Sequence, residues 1–157
     1  MDVRKKWAVS KVALISLAGA LSLAAVPYIA ANAQSTADTN KEVALPGWQI
    51  QFENINPAIK MATVYGDRGT GAHGTFGTFP PNFITPLHTH STAYNGVVVK
   101  GVMTNPFQGQ DAPPTLEPGS FWHVPAGSVH AMACVSNVPC EFYFHAKGAF
   151  DFKAVEK

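Results

Sequence analysis

The chain divides by its pattern of apolar and polar positions into three parts. From Val12 to Val26 every residue is apolar or small. A polar stretch follows, and beyond residue 47 short runs of β-branched, aromatic and other apolar residues alternate with Gly and Pro. This last region shows no sustained 3.6-residue apolar period. The pattern therefore predicts a single domain over residues 47–157 that consists of strands and turns with almost no helix.

The predicted strands are short runs of apolar, aromatic and β-branched residues bounded by turn residues. They cover residues 48–55, 60–66, 71–79, 83–90, 94–103, 119–124, 129–135 and 140–147. Many short strands separated by turns are typical of an all-β sandwich or barrel. The small polar residues 34–46 are predicted to form a flexible lead-in to the domain.

Residues 1–33 have the three features of a secretory signal peptide. Four basic residues precede the apolar run, and Pro27 and the small-x-small pattern Ala31-Asn32-Ala33 follow it. These features predict cleavage after Ala33 and export of the mature chain to the periplasm or the medium. An uncleaved anchor is the alternative, because the apolar run is nearly long enough to span a bilayer.

The charge balance narrows the range of partners. The chain has 11 basic and 10 acidic residues, and only 13% of its residues are charged, against about 25% in an average domain. Cleavage would remove four basic residues and one acidic residue, which leaves a net charge of −2. A slightly acidic mature chain lacks the basic surface of a nucleic-acid-binding protein. We therefore expect no nucleic-acid partner, and no membrane partner after cleavage.

Two histidines lie two positions apart in a predicted strand. His88 and His90 would point to the same face of that strand, where two imidazoles can bind one metal ion. Taken alone, this H-x-H pair fits two polar residues near a strand end equally well.

A second motif lies further along the chain. Gly119, Pro125, Gly127 and His130 follow the pattern G-x5-P-x-G-x2-H, which resembles the second motif of the cupin superfamily. The first cupin motif, G-x5-H-x-H-x3,4-E-x6-G, is present in part. His88, His90 and Gly101 match it, whereas Asn82 replaces its first Gly and Tyr94 replaces its Glu. The chain also resembles a small group of uncharacterised exported single-domain cupins that carry His-Gly-Thr-Phe upstream, here at residues 73–76.

The resemblance implies a double-stranded β-helix, the cupin jelly-roll barrel, in which two distant hairpins face each other. It further implies that His88, His90 and His130 bind one divalent transition-metal ion, such as iron, manganese, nickel, copper or zinc. A small-molecule ligand and a homodimer are the partners that it suggests.

Tyr94 is the main departure from the cupin pattern. A phenol has a pKa of about 10 and stays neutral under ordinary conditions, so it is a poor metal ligand. We therefore expect Tyr94 near the metal ion but not bound to it, and we treat Tyr94 and His73 as candidate catalytic residues. His73 fits a base in the pocket or a hydrogen-bonding partner of a turn. His123 is expected at the surface. If Cys134 and Cys140 pair directly across a hairpin, residue 130 lies opposite residue 144, and His145 is expected on the face opposite His130.

The two cysteines enclose five residues that fit a hairpin loop. In an oxidising compartment Cys134 and Cys140 are expected to form a disulfide. Two free thiols are one alternative. The other places Cys134 near the metal ion, because the second cupin motif often ends in Asn at this position.

Two functions from different classes fit these residues. The first is an exported metalloenzyme, a dioxygenase-type oxidoreductase that acts on a small, fairly apolar molecule. The second is a non-catalytic cupin that binds or senses a small molecule or metal. The apolar ligand is suggested by the expected barrel lining, which comprises Phe83, Ile84, Val98, Met103, Phe121, Trp122, Met132, Phe142 and Phe144.

Overall fold

The computed structural model describes residues 41–156. The predicted signal peptide and the first part of the predicted lead-in lie outside the described residues. Residues 41–46 are exposed and form no regular secondary structure, and a three-residue 3-10 turn follows at Gly47–Gln49. Among the described residues, no helix has the length and apolar character that a membrane crossing requires.

Short antiparallel strands make up the regular structure of residues 41–156. They are β1 (Glu53–Asn54), β2 (Lys60–Gly66), β3 (His73–Phe79), β4 (Phe83–Ile84), β5 (His88–Thr89), β6 (Tyr94–Lys100), β7 (Met103–Thr104), β8 (Phe121–Val124), β9 (Ala133–Cys134), β10 (Cys140–Ala146) and β11 (Lys153–Ala154). The predicted all-β fold is therefore confirmed.

The strands form three sheets. The largest has the order β1-β2-β3-β10-β6-β8, a second has the order β4-β9-β7, and β11 pairs with β5. Burial alternates along β6, β8 and β10, as the two-residue period of a strand requires. In β10, Phe142 and Phe144 are buried while Tyr143 and His145 are partly exposed. The inward aromatic side chains of the large sheet form much of the hydrophobic core.

Several predicted strands have different boundaries in the structure. The predicted strand 94–103 ends at Lys100, because Gly101 adopts a φ of 78° that reverses the chain before β7. The predicted strand 83–90 divides into β4 and β5. Of the predicted strand 129–135, only Ala133 and Cys134 form a strand, which is β9. The strand β11 was not predicted.

The disulfide between Cys134 and Cys140 is present, with a Cα–Cα distance of 5.7 Å. It does not join two paired strands, because β9 pairs with β4 and β7 while β10 pairs with β3 and β6. The hairpin register assumed for the position of His145 is therefore wrong. The disulfide instead links the three-stranded sheet to the six-stranded sheet.

Candidate metal centre

Three histidines from two distant parts of the chain converge in the interior. One ring nitrogen from each of His88, His90 and His130 lies within 4.8 Å of the other two. The side chains are almost completely buried, with exposed fractions of 2%, 2% and 0%. The convergence that the two motifs predicted is therefore present in the structure.

Backbone hydrogen bonds fix the relative positions of these residues. The amide of His88 donates to the carbonyl of His130 at 2.9 Å, and the amide of His130 donates to the carbonyl of His88 at 3.0 Å. The amide of Gly127 donates to the carbonyl of His90 at 2.8 Å. Gly127 has a φ of 73°, which explains why the turn before His130 requires glycine. The turn that precedes His130 is thus hydrogen-bonded directly to the segment that carries the other two histidines.

The same ring nitrogen is engaged in all three histidines. Each Nδ1 atom donates a hydrogen bond to a backbone carbonyl, and the pairs are His88 with Pro86, His90 with Asp151, and His130 with Ser128. A proton on Nδ1 leaves the lone pair on Nε2. The Nε2 atom of His90 is buried and has no protein partner among the described residues. The three Nε2 atoms are therefore the candidate metal ligands.

Burial keeps these imidazoles neutral. Desolvation lowers the pKa of His88 and of His90 to about 4, and it also lowers the pKa of His130. Metal ligation requires the neutral form of histidine. At pH 7 all three rings therefore hold the protonation state that a divalent transition-metal ion needs, and the donor set fits such an ion.

Tyr94 lies at the edge of this cluster. Its side chain is 2% exposed, and its hydroxyl oxygen lies 3.0 Å from Nε2 of His130 and 3.4 Å from the sulfur of Met132. Burial raises the pKa of the phenol, so Tyr94 is a neutral hydrogen-bond donor. Its position near the three histidines agrees with the expectation from the sequence.

Residues 150–155, which we call the C-terminal strap, cover the other side of the cluster. The ring of Phe150 stacks on His90 with a centroid distance of 4.2 Å, and Phe152 stacks on His88 at 4.3 Å. The strap also contributes the Asp151 carbonyl that accepts from His90. Sequence reasoning missed this element, although the alternation of Phe150 and Phe152 is a signal for a strand with one aromatic face.

Side-chain hydrogen bonds hold the strap in place. The Asp151 carboxylate accepts from the Ser91 amide at 2.6 Å and from the Ser91 hydroxyl at 2.7 Å, and it lies 3.2 Å from the Lys153 ammonium. The hydrogen bonds from Ser91, led by its backbone amide, lower the pKa of Asp151. Because Ser91 follows His90 directly, this carboxylate anchors the strap beside the metal-ligand candidates.

The remaining histidines lie outside the cluster. His73 is completely buried, donates from Nδ1 to the Thr75 hydroxyl at 2.8 Å, and contacts Phe144 and Phe150 edge-on. His123 is exposed on β8, as expected. His145 stacks loosely on Tyr65 at 6.2 Å on the outer side of the sheet. The structure thus brings together three of the six histidines.

The expected apolar lining of the barrel is only partly correct. Ile84 and Phe121 are each 61% exposed, because both occupy outward positions of their strands. Val98, Phe142 and Phe144 belong to the buried core. Phe150 and Phe152, which the sequence reasoning did not select, make the aromatic contacts with the histidines instead.

Comparisons with known proteins agree with this fold. A family described as a domain of unknown function (DUF4437) matches residues 38–157. No curated protein sequence matches the chain. Among solved structures, the polyketide cyclase RemF from Streptomyces resistomycificus superposes with a TM-score of 0.64 at 18% identity, over 74% of this chain and 87% of that chain.

Two further structures have the same architecture. An RmlC-like cupin from Shewanella frigidimarina has a TM-score of 0.58 at 18% identity, and covers 69% of this chain and 93% of its own. A cupin-superfamily sugar phosphate isomerase from Silicibacter pomeroyi has a TM-score of 0.55 at 12% identity, over 71% and 92%. At these identities the likeness shows the fold alone, which is the cupin jelly-roll that the motifs predicted.

Proposed function

This chain belongs to the DUF4437 family and has a cupin fold, and from that premise we propose that it is an exported metalloenzyme. In this proposal His88, His90 and His130 bind one divalent transition-metal ion, and the protein acts on a small, largely apolar molecule. One observation carries the proposal. One ring nitrogen of each histidine lies within 4.8 Å of the other two, while each Nδ1 atom donates to a backbone carbonyl and leaves Nε2 as the candidate ligand.

The residues of the chain have distinct roles in this proposal. A bound ion would supply Lewis-acid or redox chemistry at its open coordination positions. The three neutral imidazoles would hold that ion, and Phe150 and Phe152 would shield the rings of His90 and His88. Tyr94 holds a proton on its hydroxyl oxygen beside His130, where it can donate to a ligand at the centre.

The reaction class that we propose is a dioxygen-dependent oxidation. Three histidines without a carboxylate resemble the ligand set of the thiol dioxygenase branch of cupins. The similar structures named above are instead a polyketide cyclase and a sugar phosphate isomerase. If the protein catalyses a metal-dependent reaction that consumes no dioxygen, the proposal of a metalloenzyme stands and the proposed reaction class is wrong.

A non-catalytic binding cupin is the second candidate, and the Tyr94–His130 contact favours it. The Tyr94 hydroxyl uses the lone pair on Nε2 of His130 that a metal ion would need. A protein in which this contact persists would have only two free Nε2 atoms at the centre, which suits weak metal binding or a metal-free pocket.

Elemental analysis of the purified protein separates the two candidates. We expect about one transition-metal ion per chain, whose identity the same analysis gives, and dioxygen consumption with at least one member of a panel of small apolar substrates. The double variant His88→Ala, His90→Ala should contain no metal, whereas the exposed His123→Ala control should retain it. Metal at full stoichiometry in the double variant would rule out the site, and no metal in any preparation of the wild type would support the binding cupin.

Export is a separate part of the proposal that rests on residues 1–33. The N-terminal sequence of the protein recovered from the periplasm or the medium should begin at Gln34. Recovery of a chain that still begins at Met1 would contradict cleavage and favour the uncleaved anchor.

A further inference from the structure

Two buried polar side chains beside Tyr94 have no role in the proposed metal site. Asn105 is 7% exposed and Trp122 is 6% exposed. Three of their atoms, Nδ2 and Oδ1 of Asn105 and Nε1 of Trp122, have no hydrogen-bond partner within residues 41–156. Most buried polar groups in folded proteins are hydrogen-bonded, because an unpartnered group loses its bonds to water without compensation. Three such atoms in one region therefore require an explanation.

Both side chains lie in the interior of the barrel. Asn105 comes directly after β7 and is buried, and Met103 of that strand is 1% exposed and belongs to the core. Trp122 is an inward residue of β8, and its indole packs directly over Gly96 of β6. Both side chains lie close enough to Tyr94 to lower the pKa of its hydroxyl, although neither hydrogen-bonds to it. An amide, an indole N–H and a phenol thus surround one region next to His130.

In the metal-free protein, the charges near this region do not favour an anion. The charged side chain that acts on His90 from outside the three histidines is the negative Asp151 carboxylate. In the described part of the chain, no lysine or arginine is among the groups that shift the pKa of His88, His130 or Tyr94. The hydrogen-bonding groups that remain are N–H and O–H donors and one amide oxygen, which match carbonyl and hydroxyl oxygens.

We propose that Asn105 and Trp122 form a polar anchor for an uncharged ligand that carries a carbonyl or hydroxyl oxygen on an apolar body. The inference rests on the proposed function, since it assigns the class of molecule that binds beside the three histidines. Asn105 donates from Nδ2 and accepts at Oδ1, and Trp122 donates from Nε1. The apolar part of the ligand contacts the aromatic side chains that surround the centre.

A binding experiment with two matched probes tests this anchor. The probes are 2-hydroxyacetophenone, which is uncharged and carries adjacent carbonyl and hydroxyl groups, and phenylglyoxylate, which has the same ring and a carboxylate. Each is titrated by calorimetry into the metal-free protein, so that the charge of a bound ion does not favour the carboxylate probe. The variants are Asn105→Ala and Trp122→Phe, and the control is Asn95→Ala, an exposed Asn on the outer face of β6. Circular dichroism of every protein, and the cobalt content of a separate sample loaded with Co(II), are measured before titration.

We expect 2-hydroxyacetophenone to bind the wild type more tightly than phenylglyoxylate. Its affinity should fall at least tenfold in Asn105→Ala and about threefold or more in Trp122→Phe, with no change in Asn95→Ala and equal cobalt content in all four proteins. Trp122→Phe keeps an aromatic ring on Gly96 and removes only the N–H donor, so it tests the anchor even if Asn105→Ala misfolds.

Three results would overturn the inference. They are wild-type affinity in both folded variants, tighter binding of the carboxylate probe, and no binding of either probe to the wild type. If neither probe binds, solvent is the only remaining partner for the polar atoms of Asn105 and Trp122. If the wild type binds no cobalt, the proposed metal function fails by itself. The titration into the metal-free protein still decides the anchor, since binding that depends on Asn105 supports it and binding that does not contradicts it.

Discussion

The hydroxyl oxygen of Tyr94 lies 3.0 Å from Nε2 of His130. Because Nδ1 of His130 donates to the Ser128 carbonyl, Nε2 carries the lone pair and the phenol is the donor. The hydrogen bond therefore uses the atom that would bind a metal ion. Metal binding must break this contact, and the Tyr94 proton must then find another acceptor at the centre.

Replacement of Tyr94 by Phe should increase metal affinity slightly rather than abolish it. A net hydrogen bond contributes about 1 kcal/mol, so its loss should raise the affinity by up to about fivefold. A chelator-competition titration measures this change, with Tyr143→Phe on the outer face of β10 as the control. Reactivity or ligand binding should change in Tyr94→Phe. Loss of metal from Tyr94→Phe alone would instead show that the phenol is a ligand.

The buried histidines should make the metal-free protein sensitive to acid. Burial lowers the pKa of His73, His88 and His90 to about 4, whereas an unfolded histidine titrates near 6.5. As the pH falls from about 6.5 to 4, the unfolded chain takes up protons that the folded chain does not. The free energy of unfolding should therefore decrease by up to about 1.4 kcal/mol per pH unit for each of these histidines.

Urea denaturation of the metal-free protein at pH 7, 6 and 5 measures this slope. His73→Gln should reduce the slope by about the contribution of one histidine, while the exposed His123→Gln should leave it unchanged. Equal slopes in all three proteins would show that the buried rings do not account for the acid sensitivity. The same lowered pKa values place the loss of metal nearer pH 4 than pH 6, where an ordinary histidine would place it.

The anchor of the C-terminal strap should control metal affinity without contributing a ligand atom. Asp151→Ala removes the carboxylate that accepts from Ser91, so the Asp151 carbonyl should hold His90 less firmly. Changes in such supporting contacts typically cost about 10- to 100-fold in metal affinity. In a chelator-competition titration we expect the metal affinity to fall by about tenfold, near the lower end of that range, because the backbone carbonyl of residue 151 itself remains. Asp111→Ala, at an exposed loop residue, is the control, and equal affinity in both variants would contradict the prediction.

The disulfide should be fully formed in the exported protein. Mass spectrometry without reduction should detect no alkylatable thiol at Cys134 or Cys140. Because the bond closes a short loop, its reduction should lower the free energy of unfolding by less than the roughly 3 kcal/mol of a 15-residue loop. The double variant Cys134→Ala, Cys140→Ala should lose a similar amount and be insensitive to reductant. Two reactive thiols in the untreated protein would contradict the assignment.

The sequence predicted the parts of this molecule that depend on local pattern. Short runs of β-branched, aromatic and other apolar residues between turn residues identified the long strands β2, β3, β6 and β10. Two motif spacings identified His88, His90 and His130. It did not predict the C-terminal strap, because β11 has two residues and its pairing with β5 joins positions about 65 residues apart. The carbonyl groups that accept from the Nδ1 atoms could not be predicted either, because every residue type has a backbone carbonyl. Tertiary packing decides which strands pair with β9 and β10. The short loop between the cysteines therefore suggested a hairpin register between them that does not form.

The paired amides of His88 and His130 have a consequence for how the centre opens. Each residue donates its amide to the carbonyl of the other, so neither peptide group can exchange its hydrogen with solvent unless the pair separates. Separation would displace two of the three imidazoles at once. Slow amide exchange at these two positions and slow release of a bound ion should therefore report the same opening event, and the residence time of the ion would be set by strand separation rather than by the rotation of a single side chain.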